Sequence, residues 1–346
     1  MGEIQTETVA SSRRAPSGVV SMLARRREIL LLGVLLALLT GVSLRVPGYL
    51  RNNYMNILKG GSINMVMAAG MLPVLLIGSI DISVASTLAF SGAVAGMLMR
   101  DGYIVSTIGM VLTGIAIGGA IGALNGVLVA YGRVLPIIVT LGMGYVTRAM
   151  IPMDWLLGLN KIARINLTDS FKVFFLDHYR LGLPYLVWFA VVVTLLTGLF
   201  LRFTRIGRRV YAVGSNESAA LVRGVHTGGI KTLAHAICGA ASGLAGVMWL
   251  GYYNSVEKTT ASGDEMYVIA ACVLGGVAVT GGYGKITGVV IGALMIAMIN
   301  SAIPQLNVGN SMITEFVKGL LLLAAILLNA GLRRFARRRE LLGRRV

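Results

Sequence analysis

Three stretches carry residues with which this chain could do chemistry. Residues 281–287, GGYGKIT, offer glycines and a lysine, the ingredients of a loop that cradles phosphate. That chemistry needs G-x-x-x-x-G-K-[ST], whose backbone amides hold the phosphate and whose hydroxyl binds magnesium. Here Val279 stands at the first glycine position and Ile286 at the hydroxyl position, so the stretch reads as a tight turn bearing one lysine. Residues 78–86, GSIDISVAS, place Asp81 and Ser83 between two apolar runs. An ionisable group at membrane depth is expensive and usually functional. Asp81 is expected to cap a helix starting near Ile82, a bend in the chain being favoured over contact with a solute. The third stretch, RIGRRVYAVGSNESAALVRG at 205–224, sets arginines around a small polar core and contains a complete helix signature.

That signature can be read residue by residue. Asn216 suits an N-cap, Glu217 suits the positive end of the helix, and Ser218, Ala219 and Ala220 continue it. Arg223 suits the negative end and Gly224 the left-handed stop. The spacing predicts about two turns, roughly 10 Å long, too short to be stable without contacts. The helix is either an interfacial connector or a docking element for another protein.

No Ser-His-Asp, His-Glu-x-x-His or paired-carboxylate arrangement occurs, so no catalytic residue and no metal site are expected. His178, His226 and His235 are scattered, and His235, inside an apolar run, is expected to serve helix packing or an interfacial role rather than transport. Cys238 and Cys272 both lie in apolar runs and read as small packing residues, not a disulfide.

The elements that must position these residues are membrane helices. The chain is 346 residues long and 56% hydrophobic, with only 13% charged residues, and its mean hydropathy is +0.79. Apolar runs long enough to cross a hydrocarbon core of about 30 Å recur throughout. The expected fold is all-α and polytopic, with about ten transmembrane helices near 29–45, 62–79, 83–99, 104–130, 135–152, 184–201, 229–251, 266–281, 286–303 and 313–330. Residues 1–28 read as a disordered basic extension, 29–331 as the membrane domain with a loop at 202–228, and 332–346 as a basic tail. The net charge of +17 sits in a few loops and at both ends, which reads as topology rather than nucleic-acid binding. The positive-inside rule puts both termini and the 202–228 loop in the cytosol. The loops at 153–183 and 252–265 then face outward, and Glu315 and Lys318 pair at the outer start of the last helix. Gly114, Gly118, Gly122 and Gly126 form one helix face without side chains, and Gly239 with Gly243 and Gly288 with Gly292 repeat the device, all signals for close helix packing.

Four blocks, in order, resemble bacterial ATP-binding-cassette importer permeases of the ribose type. The 205–224 stretch is similar to that family's R-x-G-R-x-x-x-A-x-G-x-N-x-x-A-A-x-x-x-G, carried by Arg205, Gly207, Arg208, Ala212, Gly214, Asn216, Ala219, Ala220 and Gly224. GSIDISVAS resembles G-G-I-D-L-S-V-G, with Ser79, Ile82 and Ala85 as departures. ALNGVLVAYGRVLPIIVTLGMGYVTRA at 123–149 resembles A-x-N-G-x-L-V-x followed by P-x-I-V-T-L-G and R-G, with Ile137 and Ala149 as departures. VLGGVAVTGGYGKITGVVIGA at 273–293 resembles V-L-G-G, G-G-x-G and the spaced glycines after it.

The resemblance implies a multi-pass subunit of the bacterial inner (cell) membrane that imports a monosaccharide or related small polyhydroxy solute. It implies partners: an ABC ATPase subunit that binds ATP and magnesium, a periplasmic sugar-binding protein, and a second permease copy or a sister permease, all beside membrane lipid. This chain would bind no cofactor and no nucleic acid and would not itself be an enzyme. The 216–224 helix would dock on the ATPase, with Arg205, Gly207, Arg208 and Gly214 in the same coupling loop. Asn64, Asp81, Ser83, Asn125, Thr140 and Asn300 are the polar candidates for the solute path, although each also suits a bond to a neighbouring helix. A permease for nucleosides or branched-chain amino acids, and an ion-coupled secondary carrier, are the alternatives.

Overall fold

The computed structural model describes residues 27–151, 171, 174–175, 179–306, 316, 319–320, 323 and 327. The chain is mostly helical. Its helices are α1 (Arg27–Arg45), α2 (Tyr49–Leu76), α3 (Val84–Arg100), α4 (Thr107–Ala130), α5 (Pro136–Met150), α6 (Tyr185–Phe203), α7 (Arg205–Ser215), α8 (Glu217–Val222), α9 (Thr227–Tyr253), α10 (Asp264–Leu274) and α11 (Ile286–Gln305). A two-residue hairpin, β1 (Tyr179–Arg180) with β2 (Leu183–Pro184), precedes α6. Among the described residues, α2, α4, α6, α9 and α11 are long and apolar enough to cross a membrane. The expected tail at 332–346, most of the extension at 1–28 and the Glu315–Lys318 pair lie outside the described residues.

Two boundaries differ from expectation. Helix α2 begins at Tyr49, well before 62, because a stretch containing Arg51 and Lys59 is helical yet too polar to register as an apolar run. The run read as one span over 266–281 is helical only to Leu274, since Gly276, Gly281 and Gly282 all take positive φ and turn the chain. Helix α7 was not anticipated as a helix at all.

Helix α9 is the centre of the bundle and packs on α4, α3 and α2. The glycine faces explain how it can. A Cβ added at Gly118 would overlap the Gly239 carbonyl oxygen, and one at Gly114 would sit 2.8 Å from the Gly243 carbonyl oxygen. Gly92 meets Gly246 in the same way between α3 and α9, and Gly288 meets Gly275 between α11 and α10. In lipid there is no hydrophobic force between helices, so backbone approach and van der Waals contact must hold them. Cys238 and Cys272 are buried free thiols, and Cys272 Sγ donates to the Ala68 carbonyl at 3.5 Å.

The bundle has a basic end. Tyr131 follows α4 and lies 6.3 Å from the His226 ring at the start of α9. The Tyr211 hydroxyl of α7 donates to the Gly284 carbonyl at 2.8 Å. The segments at 131–134, 202–228 and 276–285 therefore share one end, together with Arg133, the arginines of α7, Arg223 after α8, and Lys285. At the opposite end Arg148 Nη1 donates to the carbonyls of Lys258 and Thr260, at 2.7 and 3.0 Å, holding the loop before α10 against α5.

Candidate functional site

Helices α7 and α8 form a surface unit at the basic end. Thr204 caps α7 by accepting from Gly207 N at 2.9 Å. Gly207, Val210 and Val213, three apart, turn inward, while Arg205, Arg208 and Arg209 are exposed. Asn216 caps α8 as its type demands, its Oδ1 accepting from Ala219 N at 2.9 Å. The helix stops at Gly224, whose φ is +75°, and Val225 N reaches back to the Ala220 carbonyl at 3.0 Å. Glu217 does more than favour the helix start: its Oε1 pairs with Lys231 Nζ of α9 at 2.6 Å. Ala220 is the buried residue of α8, and Ser218, Ala219, Leu221, Val222 and Arg223 face outward, Val222 at 89% exposure.

Beneath this unit the backbone is nearly bare. The last carbonyls of a helix have no partner within it, and the Leu76 carbonyl ending α2 accepts from Gly282 N at 2.8 Å. The same oxygen lies against Gly214 of α7, where any Cβ would overlap it. Burial pushes the Tyr211 phenol above its ordinary value, so it stays a donor to Gly284 well into alkaline solution.

Past Leu76 the chain turns at Gly78, with φ +74°, and enters a buried polar cluster. Asp81 Oδ1 accepts from Ser83 N at 2.9 Å and from Ser83 Oγ at 2.6 Å. This corrects the expected cap: α3 starts at Val84, and the Asp81 carboxylate, three residues earlier, closes a turn onto Ser83 instead of binding the first amides of the helix. Ser83 Oγ accepts from Asn125 Nδ2 of α4 at 2.9 Å. Asp81 Oδ2 meets His235 Nδ1 of α9 at 3.3 Å, and His235 Nε2 meets Ser79 Oγ at 2.9 Å. Thr140 Oγ1 of α5 accepts from Ile82 N at 3.1 Å. Every one of these side chains is buried. The Asn125 carbonyl oxygen has no hydrogen-bond partner.

Four of the six polar candidates thus converge: Asp81, Ser83, Asn125 and Thr140. Asn64 on α2 and Asn300 on α11 are half-buried, and no hydrogen bond joins them to the cluster. Sequence reasoning missed Ser79 and set His235 aside for packing. The structure gives His235 the central place, since it ties Ser79 and Asp81 to α9. A histidine within an apolar run was the available signal.

The chain matches the family model described as "Branched-chain amino acid transport system / permease component" over residues 53–326. It is 36% identical over 327 residues to the ribose import permease protein of Escherichia coli strain K12, covering 94% of this chain and 98% of that one. It is 35% identical over 315 residues to an L-arabinose ABC transporter permease protein of Azospirillum brasilense, covering 91% and 90%. It is 32% identical over 308 residues to an autoinducer 2 import system permease protein of Salmonella paratyphi B, covering 86% of each. No solved structure matches the chain.

Proposed function

The chain belongs to the branched-chain amino acid transport system permease component family, and from that premise we propose that it moves a monosaccharide or related small polyhydroxy solute into a bacterial cell. It is a multi-pass membrane permease. The proposal concerns cargo, drive and partners. Relatives matched over most of their length are named for ribose, L-arabinose and autoinducer 2, which favours such solutes over the amino acids of the family's description. A nucleoside permease and an ion-coupled carrier are not favoured by these similarities.

In this reading the energy comes from a separate ATPase that binds ATP and magnesium, and the chain itself catalyses nothing. A periplasmic binding protein delivers solute to the end where Arg148 holds the loop before α10. A second permease, identical or a sister chain, completes the path. The basic end faces the cytosol, as the positive-inside rule requires. The observation that carries the coupling role is α8. A six-residue helix cannot stand alone, yet this one is capped, stopped and ion-paired to α9 while presenting Leu221 and Val222 outward. Large apolar residues displayed on a rigid basic surface suit insertion into a groove of a protein partner.

The solute path is read from the same geometry. Asn64 and Asn300, half-buried on two crossing helices, are candidates for direct contact. Asp81, Ser83, Asn125 and Thr140 are enclosed by their own bundle and shape the path through the helices they join. Ala220→Arg tests the drive. Its buried Cβ cannot be enlarged without lifting α8, so uptake is expected to fall at least about tenfold while the chain still inserts in the membrane. Normal coupled uptake by this variant would contradict the docking role.

A further inference from the structure

We infer that residues 76–83 are a lever between the docking surface and the membrane helices, and that Asp81 and His235 are the positioning residues that lock its inner end. The inference rests on the importer reading and adds the route by which α7 and α8 reach the solute path.

The outer end of the lever is a joint without side chains. Gly214 of α7 lies directly on the Leu76 carbonyl oxygen. Gly282 N donates to that same oxygen at 2.8 Å. A Cβ built on Gly281 would lie 2.8 Å from Gly78 N, 2.9 Å from the Gly214 carbonyl and 3.0 Å from the Leu76 carbonyl. Three separate chain segments therefore meet backbone to backbone. Close-packed contacts of this kind transmit displacement because they have no rotamer to absorb it. A shift of α7 must move Leu76, Gly78 or the 281–282 turn.

The inner end is held by hydrogen bonds to three other helices within the next few residues. Ser79 and Asp81 grip His235 of α9 from both ring nitrogens. Ile82 N donates to Thr140 of α5, and Ser83 accepts from Asn125 of α4. Helix α5 is the loosest of these, with only Thr140 and Thr147 buried, so it is the element a moving lever displaces most easily. Among the described residues, the other titratable group close enough to interact with Asp81 is the buried Cys238 thiol, one turn along α9 from His235. Within the cluster the Asn125 carbonyl oxygen has no partner and is available to a different arrangement of the same groups.

The test uses the full complex, the chain extracted with the ATPase it captures, in liposomes with the co-captured binding protein and its solute. Asp81→Asn and His235→Gln keep the side-chain volume and remove the carboxylate–imidazole contact. Solute moved per ATP hydrolysed is expected to fall about tenfold, within the usual range for coupling between sites, while the amount of captured ATPase and its hydrolysis hold. A merely structural role would lower assembly and both activities together. An unchanged ratio overturns the lever. Should either variant fail to assemble, Ile80→Cys in the otherwise native chain decides. Its reaction with N-ethylmaleimide, corrected for the buried Cys238 and Cys272, is expected to change several-fold when the ATPase is trapped with ATP and vanadate. An unchanged rate overturns the proposal. If the native chain captures no ATPase, the importer reading fails first and the lever with it.

Discussion

At the scale of single residues, the buried polar groups cannot do without each other. Asp81 and His235 are enclosed in the bundle. Removing one partner of a buried hydrogen bond leaves the other unsatisfied, at a cost of about 1–3 kcal/mol. His235→Ala is therefore expected to lower the thermal midpoint of the purified chain far more than Lys231→Met. The Glu217–Lys231 pair is partly exposed, and such pairs contribute up to about 1 kcal/mol. A thermal melt of both variants in one detergent checks the order, and equal shifts would contradict it. Asn216→Ala removes the α8 cap at a cost of about 1 kcal/mol. Because α8 is so short, that loss should appear as weaker capture of the ATPase rather than as unfolding of the bundle. The cap and the glycine stop were legible in the sequence because each is a local rule, satisfied within a few residues. The grip of Asp81 on His235 spans 154 positions of chain. No periodicity reports such a distance, so the sequence showed two isolated polar residues where the fold has one cluster.

At the scale of elements, the helix contacts follow the glycines. The faces at Gly114 to Gly126 and at Gly239 and Gly243 were readable as a four-residue repeat, and α4 and α9 meet along them. Gly118→Val is expected to force α4 from α9, since its first added carbon would overlap the Gly239 carbonyl. Overpacking typically costs about 1–3 kcal/mol, occasionally more. Lower yield and a lower melting point should follow, whereas Gly142→Val on α5, with open space around its Cβ position, should be tolerated. Helix α7 was missed for a physical reason. Its inward residues, Gly207, Val210 and Val213, recur every third position, but arginines dominate the other faces and drown the pattern in an average over the window. The start of α2 was hidden likewise by Arg51 and Lys59.

At the scale of the whole molecule, the basic end, the bare backbone joint and the buried cluster lie one above another. Thr140 is four residues into α5, Asn125 five from the end of α4 and His235 eight into α9, which at 1.5 Å per residue sets the cluster roughly 6–12 Å inside the basic end. A movement imposed on α7 and α8 thus has a short route to the helices that enclose the cluster. The proposed function is that of a permease driven by a separate ATPase. Its most direct test is to extract the tagged chain gently from its native membrane, identify what accompanies it by mass spectrometry, and measure solute uptake by the preparation in liposomes with and without ATP. An ABC ATPase in the preparation, and uptake only when ATP is supplied, are the results expected of it. A chain repeatedly recovered alone that still transports solute without ATP would contradict it.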